Sequence, residues 1–251
     1  MRRRKREDVS MPLMEHIGAL RKVLLFSAYA IAIGAILGWI YSDQVYAFIA
    51  RPVVNIEGVN FMTTTPLEPA LVKLKVSIVV GILVALPIIF WQVWSFVLPA
   101  LKQNERKYLY MIAPSSLILF LLGAAFAFFF VIPLGMNFLL FLGQNAVETS
   151  TLLTKSSYLT FIIRFVLTFG IVFQTPVVIL LLIRLGLLSP NTLAKKRKYA
   201  LFAIIVIAML VSPTPDLLTQ GLMIVPMYLL YEVSIWLGYL VKRSRDRALE
   251  G

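Results

Sequence analysis

The apolar positions of this chain fall in six long runs, at residues 23–41, 76–98, 111–133, 158–183, 199–211 and 217–240, with polar or broken stretches between them. Within the runs apolar residues follow one another without the three-to-four spacing of a one-faced helix or the alternation of a half-buried strand. A segment that is apolar all round and about twenty residues long reads as a helix crossing a bilayer. The pattern therefore predicts an all-α integral membrane protein with six transmembrane helices. The fifth run has only 13 residues, about 20 Å of helix against roughly 30 Å of hydrocarbon. The turn Ser212-Pro213-Thr214-Pro215-Asp216 must end it, and the sixth run is interrupted by Pro226 and Glu232. The fifth and sixth spans are expected to form a short hairpin beside which the bilayer thins.

The breaks divide the chain into an N-terminal segment (1–22), a single six-span membrane domain (23–240) and a basic tail (241–251). In the first segment an arginine-rich run precedes Leu13, Ile17 and Leu20 at helical spacing, which predicts an interfacial helix over 12–22. The apolar run after it is too long for the core of a secretory signal, and no small-residue cleavage site follows. In 42–75, Asp43, Arg51-Pro52, Asn55, Glu57-Gly58 and Thr63-Thr64-Thr65-Pro66 are expected to interrupt helix, leaving a short interfacial one at 45–50. Residues 134–157 form a second long connection, amphipathic over 135–143 and polar beyond. Gly34 and Gly38 make a GxxxG, read as close packing within the fold ahead of dimerisation.

Composition agrees with a lipid solvent. Of 251 residues 60% are hydrophobic and 14% charged, where a soluble domain carries roughly 25% charged; the mean hydropathy is +0.87. The net charge of +12 changes the picture through its distribution. Nineteen Lys and Arg lie in 1–22, 99–110, 184–198 and 241–251, against four in 42–75 and 134–157. By the positive-inside rule both termini belong in the cytoplasm, and the basic character marks a membrane face rather than a nucleic-acid partner. Arg164 sits about two turns into the fourth run, close enough to the interface to snorkel. With no cysteine and a single histidine, His16, disulfides, zinc clusters and haem attachment are excluded, and no cofactor or metal is expected.

The search for chemistry finds no metalloprotease, serine-hydrolase or phosphate-loop motif, so no enzyme activity is expected. A few polar groups in or beside the membrane remain. Glu105, in the charged break after the second run, either balances Arg106 and Lys107 or docks a cationic partner; on the residues alone the first has the better claim. Glu15 and His16 are open in the same way. Gln174 lies mid-span and can satisfy a neighbouring helix. Glu232 is a charge within a span, where carboxylates are costly and pair or function. Asp216 is compatible with a helix N-cap. A polytopic small-solute or ion transporter would need ionisable residues lining a pore, and the chain offers mainly Glu232 and Arg164. A membrane scaffold without transport of its own would leave Glu105 replaceable.

Several stretches taken together resemble the TatC family, the polytopic receptor component of the twin-arginine protein translocase. They include Glu15-His16-Ile17-Gly18-Ala19-Leu20-Arg21-Lys22, Thr65-Pro66-Leu67-Glu68-Pro69, and Gln92-Val93-Trp94-Ser95-Phe96-Val97-Leu98-Pro99-Ala100-Leu101. Asn104-Glu105-Arg106-Lys107, Phe169-Gly170-Ile171-Val172-Phe173-Gln174-Thr175-Pro176, Ser212-Pro213-Thr214-Pro215-Asp216 and Pro226-Met227-Tyr228-Leu229-Leu230-Tyr231-Glu232 complete the set, in the family's order. The resemblance implies a protein of the cytoplasmic membrane that binds the Arg-Arg signal peptides of folded cargo. It also implies TatA-type and TatB-type single-span partners, self-association in a translocase complex, and export driven by the protonmotive force. By the same resemblance Glu105 is the carboxylate that meets the arginine pair, with Phe96 and Pro99 in the segment before it and Arg21 in the N-terminal helix. Pro52 and Asp216 match loop positions that matter in the family. Two positions depart from it. Ala19 stands where relatives usually have a second Glu, and Glu15, one helical turn earlier on the same face, is expected to supply that charge. Gln174 stands where the family often has Glu; it can contact a partner helix but cannot exchange a proton near neutral pH.

Overall fold

The computed structural model describes residues 13–54, 59–97, 109–144, 151–211 and 216–250. Helix α1 (Leu13–Ile40) is followed by α2 (Ser42–Val54), strand β1 (Val59–Met62) and α3 (Glu68–Val97). Helix α4 (Leu109–Phe126) runs through a π-helical turn (Ala127–Val131) into α5 (Ile132–Gln144). Strand β2 (Thr151–Thr154), α6 (Lys155–Val172), α7 (Thr175–Arg184), α8 (Pro190–Lys195), α9 (Arg197–Val211) and α10 (Leu217–Glu250) complete the order. Among the described residues, five helical runs are long and apolar enough to cross a membrane, at Ile17–Ile40, Glu68–Phe96, Ile112–Phe138, Lys155–Arg184 and Thr219–Arg243. The fifth apolar run lies in α9, which has 15 residues and rises about 22 Å.

The helices differ from the sequence reading at several places. The interfacial helix expected at 12–22 is present as the first turns of α1, continuous with the first span. Arg51-Pro52, expected to break helix, lies inside α2. Proline there forfeits one backbone bond, but the helix keeps Ile49, Ala50 and Val53 buried and ends two residues later. The sixth span, expected short, belongs to a 34-residue helix: Pro226 and Glu232 do not interrupt it, and the basic tail continues it to Glu250. The fourth span is broken into α6 and α7 at Phe173 and Gln174.

The main core packs Ile132, Leu159, Phe165, Phe169 and Met223, from α5, α6 and α10, each under 2% exposed. Helix α1 stands to one side and packs along α3. Its GxxxG serves that contact: a Cβ on Gly34 would come 2.9 Å from Gly81 Cα, and one on Gly38 would come 2.7 Å from the Ser77 carbonyl oxygen. Tyr29, Ile33 and Ile36 on its other faces are exposed, as lipid-facing side chains are in the absence of a bilayer.

The end of the bundle opposite the basic loops is stapled across long sequence distances. Strands β1 and β2 pair in parallel, Val59 with Thr151 through Met62 with Thr154. Glu68 is only 3% exposed. Its carboxylate accepts hydrogen bonds from the Thr64 backbone (2.7 Å), the Thr64 hydroxyl (2.9 Å) and the Ser156 backbone (3.0 Å). The phenol of Tyr158 donates to the Ile49 carbonyl at 2.8 Å, and Phe61 packs edge-on against both Tyr46 and Tyr158. Burial, with the charge of Glu68 adding to it, pushes the Tyr46 phenol up to about 12.

All four basic residues of this end are engaged within the protein. Arg51 lies over Phe48, Lys73 over Trp39 and Lys155 over Tyr46, at 5.4, 5.2 and 5.9 Å from the ring centres. Lys75 donates to the hydroxyls of Ser156 (2.8 Å) and Thr160 (3.1 Å). Tyr158→Phe should lower stability by about 1 kcal/mol, since one buried hydrogen bond is lost and the Ile49 carbonyl is left dry. Thermal unfolding in detergent checks this, and an unchanged midpoint would mean that water replaces the phenol.

Candidate functional site

The residues singled out from the sequence lie at several separate places in the bundle. At the basic end, Arg21 is exposed on α1, Glu15 lies in the first turn of the same helix, and Phe96 is half-buried in the last turn of α3. Pro99 and Glu105 lie outside the described residues, in the connection between α3 and α4. The contacts of Gly34 with Gly81 and of Gly38 with Ser77 fix an antiparallel register between α1 and α3. Because both helices rise about 1.5 Å per residue, that register sets residue 19 level with Phe96, and Glu15 about one turn beyond. The two family-like segments, which are some 75 residues apart in the chain, thus arrive at one end of one helix pair.

The second place is the break between α6 and α7. The backbone N–H of Gln174 bonds the Ile171 carbonyl, a tighter turn than an α-helix makes. Pro176, in the first turn of α7, brings no N–H of its own. The side chain of Gln174 crosses to α4, where Nε2 donates to the Ser116 carbonyl at 3.0 Å and more weakly to the Gly170 carbonyl at 3.5 Å. The hydroxyl of Ser116, fully buried, accepts from the Trp94 indole at 2.9 Å. A polar chain Trp94–Ser116–Gln174 therefore joins α3, α4 and α7 inside the apolar bundle. The side-chain oxygen Oε1 of Gln174 is closed off from the surface and accepts no hydrogen bond among the described residues. An acceptor held in hydrocarbon is favourably met by a donor on another helix. The amide lies at a helix break rather than in the middle of a continuous span, which is what leaves Oε1 over.

Glu232 lies within α10 and Asp216 at its start, about 24 Å apart along the helix. Glu232 meets Arg197 in the fork geometry suited to guanidinium and carboxylate: Nε to Oε1 at 2.6 Å and Nη2 to Oε2 at 2.9 Å. Tyr228 donates to the same carboxylate at 3.0 Å. The charge inside the sixth span is thus tied to the start of α9. Arg164, the other intramembrane charge, is exposed on α6. Asp216 caps α10, accepting the Thr219 N–H at 2.6 Å. Pro52 lies in the last turn of α2, on the stapled end.

The sequence reading gave no role to Glu68, Lys75, Ser156, Trp94 or Ser116. A signal existed for Glu68 alone: Thr65-Pro66-Leu67-Glu68 has the spacing of a capping box, although the carboxylate bonds Thr64 instead. The others are ordinary residues of apolar or polar stretches until their partners are known.

The family model described as Sec-independent protein translocase protein (TatC) matches residues 15–226. The chain is 40% identical over 237 residues to the Sec-independent protein translocase protein TatC of Carboxydothermus hydrogenoformans, covering 94% of this chain and 96% of that protein. It is 37% identical over 236 residues to that of Aquifex aeolicus, with 94% and 98% covered. The Escherichia coli K12 protein is 34% identical over 241 residues, with 95% and 92% covered. A crystal structure of the twin-arginine translocase receptor TatC superposes with a TM-score of 0.80 at 36% identity, over 90% of this chain and 99% of the other.

Proposed function

The chain belongs to the TatC family of Sec-independent protein translocase proteins, and from that membership we propose that it is the core receptor subunit of a twin-arginine translocase. It is a multi-pass membrane protein. In the proposed role it sits in the cytoplasmic membrane with both termini inside. There it binds the Arg-Arg signal peptides of folded cargo and recruits TatA-type and TatB-type single-span proteins, in a self-associating complex driven by the protonmotive force. It performs no bond-making chemistry of its own.

The observation that carries this reading is the family match across almost the whole chain. The α1–α3 register supports it, because it draws the Glu15–Arg21 helix and the Phe96 segment to one end of one helix pair. An arginine pair offers two planar donor forks, and a carboxylate is their geometric match. Glu105 takes that part here, with Glu15 in place of the carboxylate that Ala19 lacks. Phe96, Pro99 and Arg21 shape the surface the signal meets. Gln174, at the break between α6 and α7, is the point at which a polar group of a single-span partner docks. Pro52 and Asp216 hold the ends of α2 and α10, and Glu232 ties α10 to α9, in the geometry this requires.

Site-specific photocrosslinking tests the proposal. Probes at 15, 96 and 105 should capture a twin-arginine precursor, and a probe at 174 should capture a single-span partner. Capture of the precursor should vanish when its arginine pair is replaced by two lysines. A precursor caught equally well without its arginines would remove the recognition proposal.

A further inference from the structure

Near the basic end a cavity of about 240 Å³ opens between α4, α7 and α10. Its wall is apolar, formed by Ile112 of α4, Val177, Leu180 and Leu181 of α7, and Val241 of α10. Two polar residues complete it, Ser115 and, at the last residue of α7, Arg184. We infer that this cavity is a binding site for an anionic glycerophospholipid, with an acyl chain against the apolar wall and the phosphate at Arg184.

Size, charge and position favour this occupant. A transmembrane helix is about 10 Å across, and pockets for compact ligands run to roughly 300–1,000 Å³. The cavity is too small for a partner helix and suits a slender chain. A second apolar hollow, about 400 Å³ beside Phe126, Phe130, Gly221 and Pro226, has no ionisable residue in its wall, so nothing there selects a headgroup.

At the first cavity the wall carries a guanidinium, whose planar donors fit phosphate oxygens in pairs. Helix α10 continues past Val241 with Lys242 and Arg243, so cations follow the apolar wall directly. Basic pockets between helices at the positive face of a membrane protein recognise acidic lipid headgroups in this way. Among the described residues the wall does not include Gln174.

Native mass spectrometry of the purified full chain, offered equal amounts of phosphatidylglycerol and phosphatidylcholine with identical acyl chains, tests the inference. The wild-type chain should retain phosphatidylglycerol over phosphatidylcholine by about 10-fold, equivalent to about 1.4 kcal/mol. Arg184→Gln should bring that ratio close to one. Arg164→Gln, which removes an exposed arginine on α6, should leave it unchanged. Val241→Trp, which fills the cavity, should lose both lipids.

Three results would overturn the site: an Arg184→Gln chain that keeps its preference, a Val241→Trp chain that still holds phosphatidylglycerol, or displacement of the lipid by inorganic phosphate alone. The last would mean a simple anion site that ignores the chain. Should Arg184→Gln fail to fold, Val241→Trp and the phosphate competition still decide. No cargo or partner protein enters the assay, so failed signal binding at Glu105 leaves its outcome untouched.

Discussion

Glu105→Lys is expected to abolish binding of an Arg-Arg signal peptide while the protein still inserts and folds. A hydrogen bond to a charged group contributes roughly 1.5–3 kcal/mol. At a membrane interface, partly shielded from water, the pair exceeds the 0–1 kcal/mol of an exposed salt bridge. Reversal removes that attraction and sets an ammonium against two guanidinium groups. A loss of about 3 kcal/mol or more corresponds to at least ~100-fold in affinity. Ala19 cannot share the task, so no second carboxylate at that position cushions the change. Glu15→Lys should then impair binding as well, by less, and the double variant should show whether the two charges act together. The measurement is equilibrium binding of a labelled twin-arginine peptide to purified protein, paired with export of a folded reporter. Retained export in the Glu105→Lys strain would sink the role given to this residue.

Gly81→Leu should release α1 from the bundle. A Cβ at Gly81 would fall 2.5 Å from the Ile31 carbonyl oxygen and 2.8 Å from the Ala35 nitrogen, both backbone atoms that no rotamer change can move aside. Overpacking of this kind costs about 1–3 kcal/mol. Between membrane helices there is little hydrophobic force to resist it, because lipid accepts an apolar face as readily as another helix does. Helix α1 packs chiefly on α3 and exposes its other faces, so this close approach accounts for most of its anchoring. The chain has no native cysteine. Spin labels on cysteines introduced at Leu24 and Trp91, two exposed positions level with each other in the register, would therefore follow the pair cleanly. Their distance distribution should be narrow in the parent and broad in Gly81→Leu. A narrow distribution in both would show that α1 is held elsewhere. If α1 carries part of the signal site, peptide binding should weaken along with its detachment.

The apolar runs alone were enough to foresee helices crossing a membrane, because a helix in lipid must be apolar on every face whatever lies beside it. The order of the polar breaks, and the motifs within them, was likewise enough to recognise the family. Glu105 was legible only through those motifs: its own neighbours, Arg106 and Lys107, made local charge balance the better reading. The GxxxG of α1 was read as internal packing, and Gly81 is its partner.

Tertiary structure decided what depends on pairs far apart in the chain. Glu232 looked like a charge in search of a role until Arg197, 35 residues earlier, took it in a two-point bond. Gln174 looked mid-span until the break between α6 and α7 turned its amide onto the Ser116 carbonyl. The 42–75 and 134–157 stretches read as loops. In the fold they contribute β1 and β2, and Glu68 reaches across 88 residues to Ser156. A run of residues carries the imprint of its solvent, since each side chain meets lipid or water independently of distant ones. A hydrogen bond between two helices depends on both ends, and neither end alone marks the other in the sequence.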